Sequence, residues 1–175
     1  MVIGTVASST NSALNITSSA DTYTLFRDSE TKIWRGRNYP DFSVLHPGDD
    51  VSVRYRRDPD GRLVVNNLYA NIDHVSGIIT QVSKNGFQVY QNFDADPHSG
   101  YRRQYRDIAY DLETAFEDSA AEDLRPGRTV DIIGLKLDKV RVQGTRITIY
   151  EGNRPVRMRD GKVFLPDGRI QERKP

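Results

Sequence analysis

The chain has 175 residues, of which 37% are hydrophobic, 9% aromatic and 28% charged, and its 25 Lys and Arg face 24 Asp and Glu. That length predicts one or two domains, and the balanced charge leaves no overall field to gather nucleic acid or an anionic membrane. The absence of Cys excludes disulfide frameworks, thiolate metal sites and cysteine nucleophiles, and no apolar run approaches the roughly 18 residues of a membrane-spanning helix.

The first elements read as short strands. Gly4-Thr5-Val6 is followed, ten residues after its glycine, by Leu14-Asn15-Ile16, and then by the tetrad Asp28-Ser29-Glu30-Thr31. Trp34-Arg35-Gly36-Arg37-Asn38-Tyr39 interleaves aromatic rings with guanidiniums. Leu45-His46-Pro47-Gly48 reads as a turn into a strand in which Val51, Val53 and Tyr55 alternate with Ser52, Arg54 and Arg56. This is the period-2 pattern of a half-buried strand. Asp58-Pro59-Asp60-Gly61 supplies the fixed and positive φ values of a tight turn before the next strand. These elements predict a first domain over residues 1–72.

The same order then returns. Gly77-Ile78-Ile79 precedes Phe87-Gln88-Val89 by the same ten residues, Asp111-Leu112-Glu113-Thr114 repeats the tetrad, and Leu124-Arg125-Pro126-Gly127 leads into Val130 and Ile132. The offsets are 73, 83 and 79. Three matches in one order predict a duplication, with a second domain over 73–153. The second copy differs mainly by a longer loop over 92–106, carrying Phe93, Tyr101, Arg102, Arg103, Tyr105 and Arg106 together with Asp94, Asp96 and His98. Residues 107–123 hold seven acids and no base, and Leu112, Ala115 and Phe116 at helical spacing predict the chain's one helical turn there. Residues 125–175 hold 13 bases and six acids, so two adjoining blocks of opposite sign are expected to neutralise each other in part. The remainder, 154–175, reads as one or two small hairpins around Asp-Gly turns.

The predicted fold is therefore all-β: two tandem small OB-like Greek-key β-barrels with a C-terminal β-hairpin extension. The order Gly-x-[Val/Ile], short hairpin, Thr-containing strand, Leu-x-Pro-Gly-x-x-Val-x-Val, then Asp-Gly and a final apolar strand resembles an OB-fold-like domain of unknown function found in bacterial exported and envelope proteins. The resemblance implies a structural role for Pro47-Gly48 and Pro126-Gly127, and an envelope or exterior location, but no catalytic or ligand residues. Residues 1–14 lack the charged start and apolar core of a signal peptide, so the compartment stays unassigned from the residues alone.

The chemistry is sparse. Asp94, Asp96 and His98 alternate in a way that would turn three oxygen and nitrogen ligands to one side of an extended loop, but without an identifiable fourth ligand. No nucleophile elbow, phosphate loop or dinucleotide fingerprint is present, and neither an enzyme nor a cofactor is expected. The Tyr/Arg clusters are the candidate binding residues: Trp34, Arg35 and Arg37; Tyr55 and Arg56; Tyr101, Arg102, Arg103, Tyr105 and Arg106. They point first to a binding, scaffolding or assembly module of the bacterial envelope, acting through contacts with itself or another protein. The alternative is a tandem OB-fold protein binding single-stranded nucleic acid through stacking rings and guanidiniums.

Overall fold

The computed structural model describes residues 1–91 and 104–150, together with the backbone of three short strands at 157–159, 162–164 and 170–172. The chain forms two compact units, Met1–Ile72 and Asp73–Pro175. The described residues are all β apart from two single 3-10 turns.

In the first unit, β1 (Val2–Ser9), β2 (Ala13–Thr17) and β3 (Thr22–Phe26) form a meander. Strand β4 (Lys32–Trp34), the two-residue β5 (Asn38–Tyr39) and a 3-10 turn (Phe42–Val44) follow, then β6 (Asp50–Arg57) and β7 (Leu63–Ala70). Strand β1 pairs with β6, β6 with β7, and β7 closes the ring by parallel pairing with β3, Leu25 opposite Leu63 and Phe26 opposite Val64. The result is a closed five-strand barrel, which leaves no exposed ring edge. Strand β4 pairs with the far end of β7, and β5 covers β4.

Side-chain alternation fills the barrel. Leu14, Ile16, Leu25, Val51, Val53, Val65 and Leu68 point inward, and Phe42 from the 3-10 turn is fully buried among them. The outward residues between them are polar, as a sheet with one wet face requires.

The second unit repeats the ring. Strands β8 (Ile72–Ser83), β9 (Gly86–Gln91) and β10 (Gln104–Ala109) form the meander, and β12 (Thr129–Lys136) and β13 (Arg141–Tyr150) complete it. Strand β10 again runs parallel to β13, and β11 (Ala115–Glu117) takes the place of β4 beside it. The second core is Val75, Ile79, Phe87, Val89, Ile108, Val130, Ile132, Val142 and Ile147. A separate antiparallel sheet follows, β14 (Arg157–Arg159), β15 (Lys162–Phe164) and β16 (Ile170–Glu172), so the C-terminal extension is two hairpins sharing a strand.

The repeated motifs do matching physical work. Gly48 and Gly127 have φ of 93° and 89°, a left-handed region that favours glycine. In each unit that glycine's N–H donates to the first meander strand, at Val6 O and at Ile79 O, and the same two residues donate back to Asp49 O and Arg128 O. A Cβ on Gly4 would lie 2.4 Å from Thr17 O, and one on Gly77 2.3 Å from Tyr90 O, so both glycines permit the same close strand approach. The tetrads close identical side-chain turns: Thr31 and Thr114 hydroxyls accept from the Asp28 and Asp111 N–H groups and donate to Val65 O and Gly144 O.

Two sequence expectations are corrected. The helical turn over 107–123 does not form. Asp107–Ala109 belongs to β10, the tetrad turn clips the chain to β13, Ala115–Glu117 becomes β11, and only Ala121–Asp123 is a 3-10 turn. Leu112, expected on an apolar helix face, is fully exposed. A cross-strand anchor from Thr114 outweighed weak helical spacing. The long loop is also shorter than expected, because β10 begins at Gln104 and takes Tyr105 and Arg106 into the sheet.

Candidate functional site

The period of two places Ile78 and Thr80 on β8, Gln88 and Tyr90 on β9, and Tyr105 and Asp107 on β10 on the outer face of the second barrel, opposite the buried Ile79, Phe87, Val89 and Ile108. Register aligns them in rows. Ile78 lies opposite Tyr90 and Tyr90 opposite Tyr105, while Gln88 lies opposite Asp107. The two tyrosine rings are 5.2 Å apart and tilted by 46°, and Tyr105 is 53% exposed. In the polar row, Thr80 Oγ1 donates to Gln88 Oε1 and Gln88 Nε2 donates to Asp107 Oδ1.

The corresponding row of the first barrel is Thr5, Thr17 and Thr22, again in cross-strand register. Beside it Asn15 donates to the Ser8 hydroxyl and accepts from Thr24. One ring architecture thus carries a hydroxyl face in the first unit and an aromatic face in the second.

The predicted binding residues fall in both units. In the first, Arg35 donates two hydrogen bonds to the buried Asp49 carboxylate, which also accepts from His46 N–H and Asn71 Nδ2. Burial works against that carboxylate, but Arg35, the His46 N–H and Asn71 outweigh it and hold its pKa below the ordinary value. Arg56 is paired with Asp28, whose pKa is likewise lowered against desolvation by the Glu30 N–H, Arg56 and Thr31. Tyr55 packs on the core beside Tyr23, Trp34 lies against Tyr69, and Arg37 bonds the Tyr39 hydroxyl and lies over its ring.

Among the described residues of the second unit, Tyr105 is the predicted binding residue that is exposed. Arg106 points inward and is ion-paired with Asp73, so it is not a surface contact. Its alternation with Tyr105 on a strand sends the two side chains to opposite faces. The fully buried Gln91 donates to Ser76 O, while its Oε1 has no partner among the described residues. Tyr101, Arg102, Arg103 and the proposed metal ligands Asp94, Asp96 and His98 lie outside the described residues. Among the described residues no group of three His, Asp or Glu side chains could hold a metal ion.

Sequence reasoning missed Ile78, Tyr90, Gln88 and Asp107. The available signal was the set of positions alternating with the core residues of β8 and β9, which the search for Tyr/Arg clusters passed over.

Residues 3–64 match the domain of unknown function DUF5666. The matched segment runs from β1 into β7 and lies within the first barrel. No curated protein matches the chain.

Proposed function

We propose that the protein is a non-enzymatic binding and assembly module working through protein–protein contacts, made by the outer β8–β9–β10 face. Each ring follows the strand order of an OB-like barrel, in which that face is the customary ligand surface. The observation that carries the reading is the row Ile78, Tyr90 and Tyr105 standing where the first barrel has three threonines. Tyrosine is enriched at protein interfaces, because it buries a large apolar area and keeps a polar tip. The resemblance to exported and envelope domains is what favours the bacterial envelope or exterior as its setting.

The nucleic-acid alternative draws less support. Phosphate recognition needs available cations, whereas Arg35, Arg56 and Arg106 are engaged by Asp49, Asp28 and Asp73 of their own units. The row beside the tyrosines includes the acid Asp107.

The test replaces Tyr90 and Tyr105 together with Ser and follows self-association by light scattering, with thermal melting as control. Lost association with a melting temperature within a few degrees of wild type supports the reading. A wild type that stays monomeric, or a variant that associates undiminished, refutes it for self-assembly. A salt-dependent shift with a single-stranded oligonucleotide, abolished in the variant, transfers the face to the nucleic-acid alternative.

A further inference from the structure

We infer that the chain associates head to tail, the exposed Leu112 turn of one copy seating on an aromatic row of the first barrel of another. The contact uses no residue of the β8–β9–β10 face and stands independently of the reading given to that face.

The receiving surface is the outer face of β1, β6, β7 and β4. Register sets Ile3 opposite Ser52, Ser52 opposite Tyr69 and Tyr69 opposite Trp34. The Trp34 and Tyr69 rings are 6.4 Å apart, and Ile3 is 66% and Tyr69 42% exposed. The next row sets Arg54 opposite Asn67 and Asn67 opposite Lys32. Lys32 and Arg54 make no ion pair among the described residues, while the acids beside them, Asp28 and Glu30, are answered by Arg56. Asp50 lies beyond the other margin of the aromatic row. The surface is therefore an apolar strip bordered along one side by two cations.

The second barrel has the same frame without this surface. The positions of Ile3, Ser52, Tyr69 and Trp34 hold Ser76, Asp131, Thr148 and Glu117, and those of Lys32 and Arg54 hold Ala115 and Ile133. The opposite exchange occurs at the tetrad turn. Its second side chain takes no part in the hydrogen bonds that close the turn in either unit. That residue is Ser29 in the first unit and the fully exposed Leu112 in the second. A lone exposed leucine is ordinary. This one is flanked in sequence by Asp111 and Glu113, so an apolar side chain between two carboxylates faces an apolar strip beside two cations, and the charges fix the register of docking. A contact between two different patches leaves one of each unfilled on every pair, so copies extend into chains or rings rather than stopping at a symmetric dimer. Its small footprint puts it in the weak, reversible class.

The experiment uses Trp34, the sole tryptophan, as a reporter inside the receiving surface. A full-length Leu112→Ser chain keeps the surface and lacks the leucine; a full-length Trp34→Phe chain keeps the leucine and is silent in tryptophan fluorescence. Adding the second to the first should shift the Trp34 emission saturably to the blue. The shift should need at least tenfold more protein when the added chain also carries Leu112→Ser, or when the receiving chain carries Lys32→Glu with Arg54→Glu. No saturable shift up to millimolar chain, an equal shift without Leu112, or an undiminished shift with the folded charge-reversed chain would each overturn the inference. If circular dichroism shows the charge-reversed chain unfolded, Tyr69→Ser on the receiving chain decides instead, with a tenfold weakening expected and unchanged binding refuting. Tyr90→Ser with Tyr105→Ser in both chains should leave the shift intact. Its loss there would assign the contact to the tyrosine row and overturn this inference alone, so the two readings fail separately.

Discussion

Replacing Asp49 with Asn tests whether Arg35, a candidate binding residue by its sequence context, is instead part of the first barrel's frame. The Asp49 carboxylate accepts two bonds from Arg35, at 3.1 and 3.3 Å, one from the His46 N–H at 2.9 Å and one from Asn71 at 2.7 Å. An Asn side chain keeps the shape but removes the charge and turns an NH₂ group toward donors. Hydrogen bonds to charged groups contribute about 1.5–3 kcal/mol, and a stranded buried donor costs about 1–3. Arg35 is 25% exposed, which screens part of this. The expected loss is about 2–4 kcal/mol at pH 7, or roughly 10–20 °C in melting temperature for a unit of this size. Trp34, the only tryptophan, lies in the first unit, so urea unfolding followed by its fluorescence reports that barrel selectively. Because the folded pKa of Asp49 is lowered, the charge-dependent stability is complete above its ordinary value of 3.8 and is lost as pH falls through the lower folded value. The gap between wild type and variant should therefore hold from pH 7 to about 5 and narrow below 4. A loss under about 1 kcal/mol, or a gap as wide at pH 2.5 as at pH 7, would refute the reasoning.

Gly48→Ala and Gly127→Ala should each cost about 1 kcal/mol or more by urea titration, and by similar amounts, because their φ values match and open space surrounds both Cβ positions; a neutral effect at either would show that φ is not the constraint. Gly4→Ala and Gly77→Ala should cost more, about 2 kcal/mol or above, since the new methyl meets a backbone oxygen rather than space, and equal effects of the two glycine pairs would contradict this. Phe42→Ala should remove about 3–5 kcal/mol from the first barrel, read through Trp34, and a loss below about 1 kcal/mol would mean the ring is not a core plug. The Asp138 carboxyl, held by the Arg141 and Val140 N–H groups and the Arg141 side chain, should titrate by NMR at about 2, well below its ordinary 3.8; an ordinary midpoint would place the loop differently.

The two runs of matching motifs and the turns were legible in the residues because they depend on local constraints. Gly48 and Gly127 are glycines for a backbone angle, Gly4 and Gly77 for a close strand approach, and the Asp-x-x-Thr tetrads for a turn closed by their own side chains. The alternation of Val51 and Val53 likewise marks one buried face without reference to the rest of the chain. Tertiary structure decided what depends on distant partners. Which guanidiniums remain available turned on carboxylates up to 33 positions away in sequence, as with Arg106 and Asp73. The row Ile78–Tyr90–Tyr105 exists only once three strands are in register. A sequence states what each position can do locally, whereas the pairing of strands determines which of those capacities end up side by side.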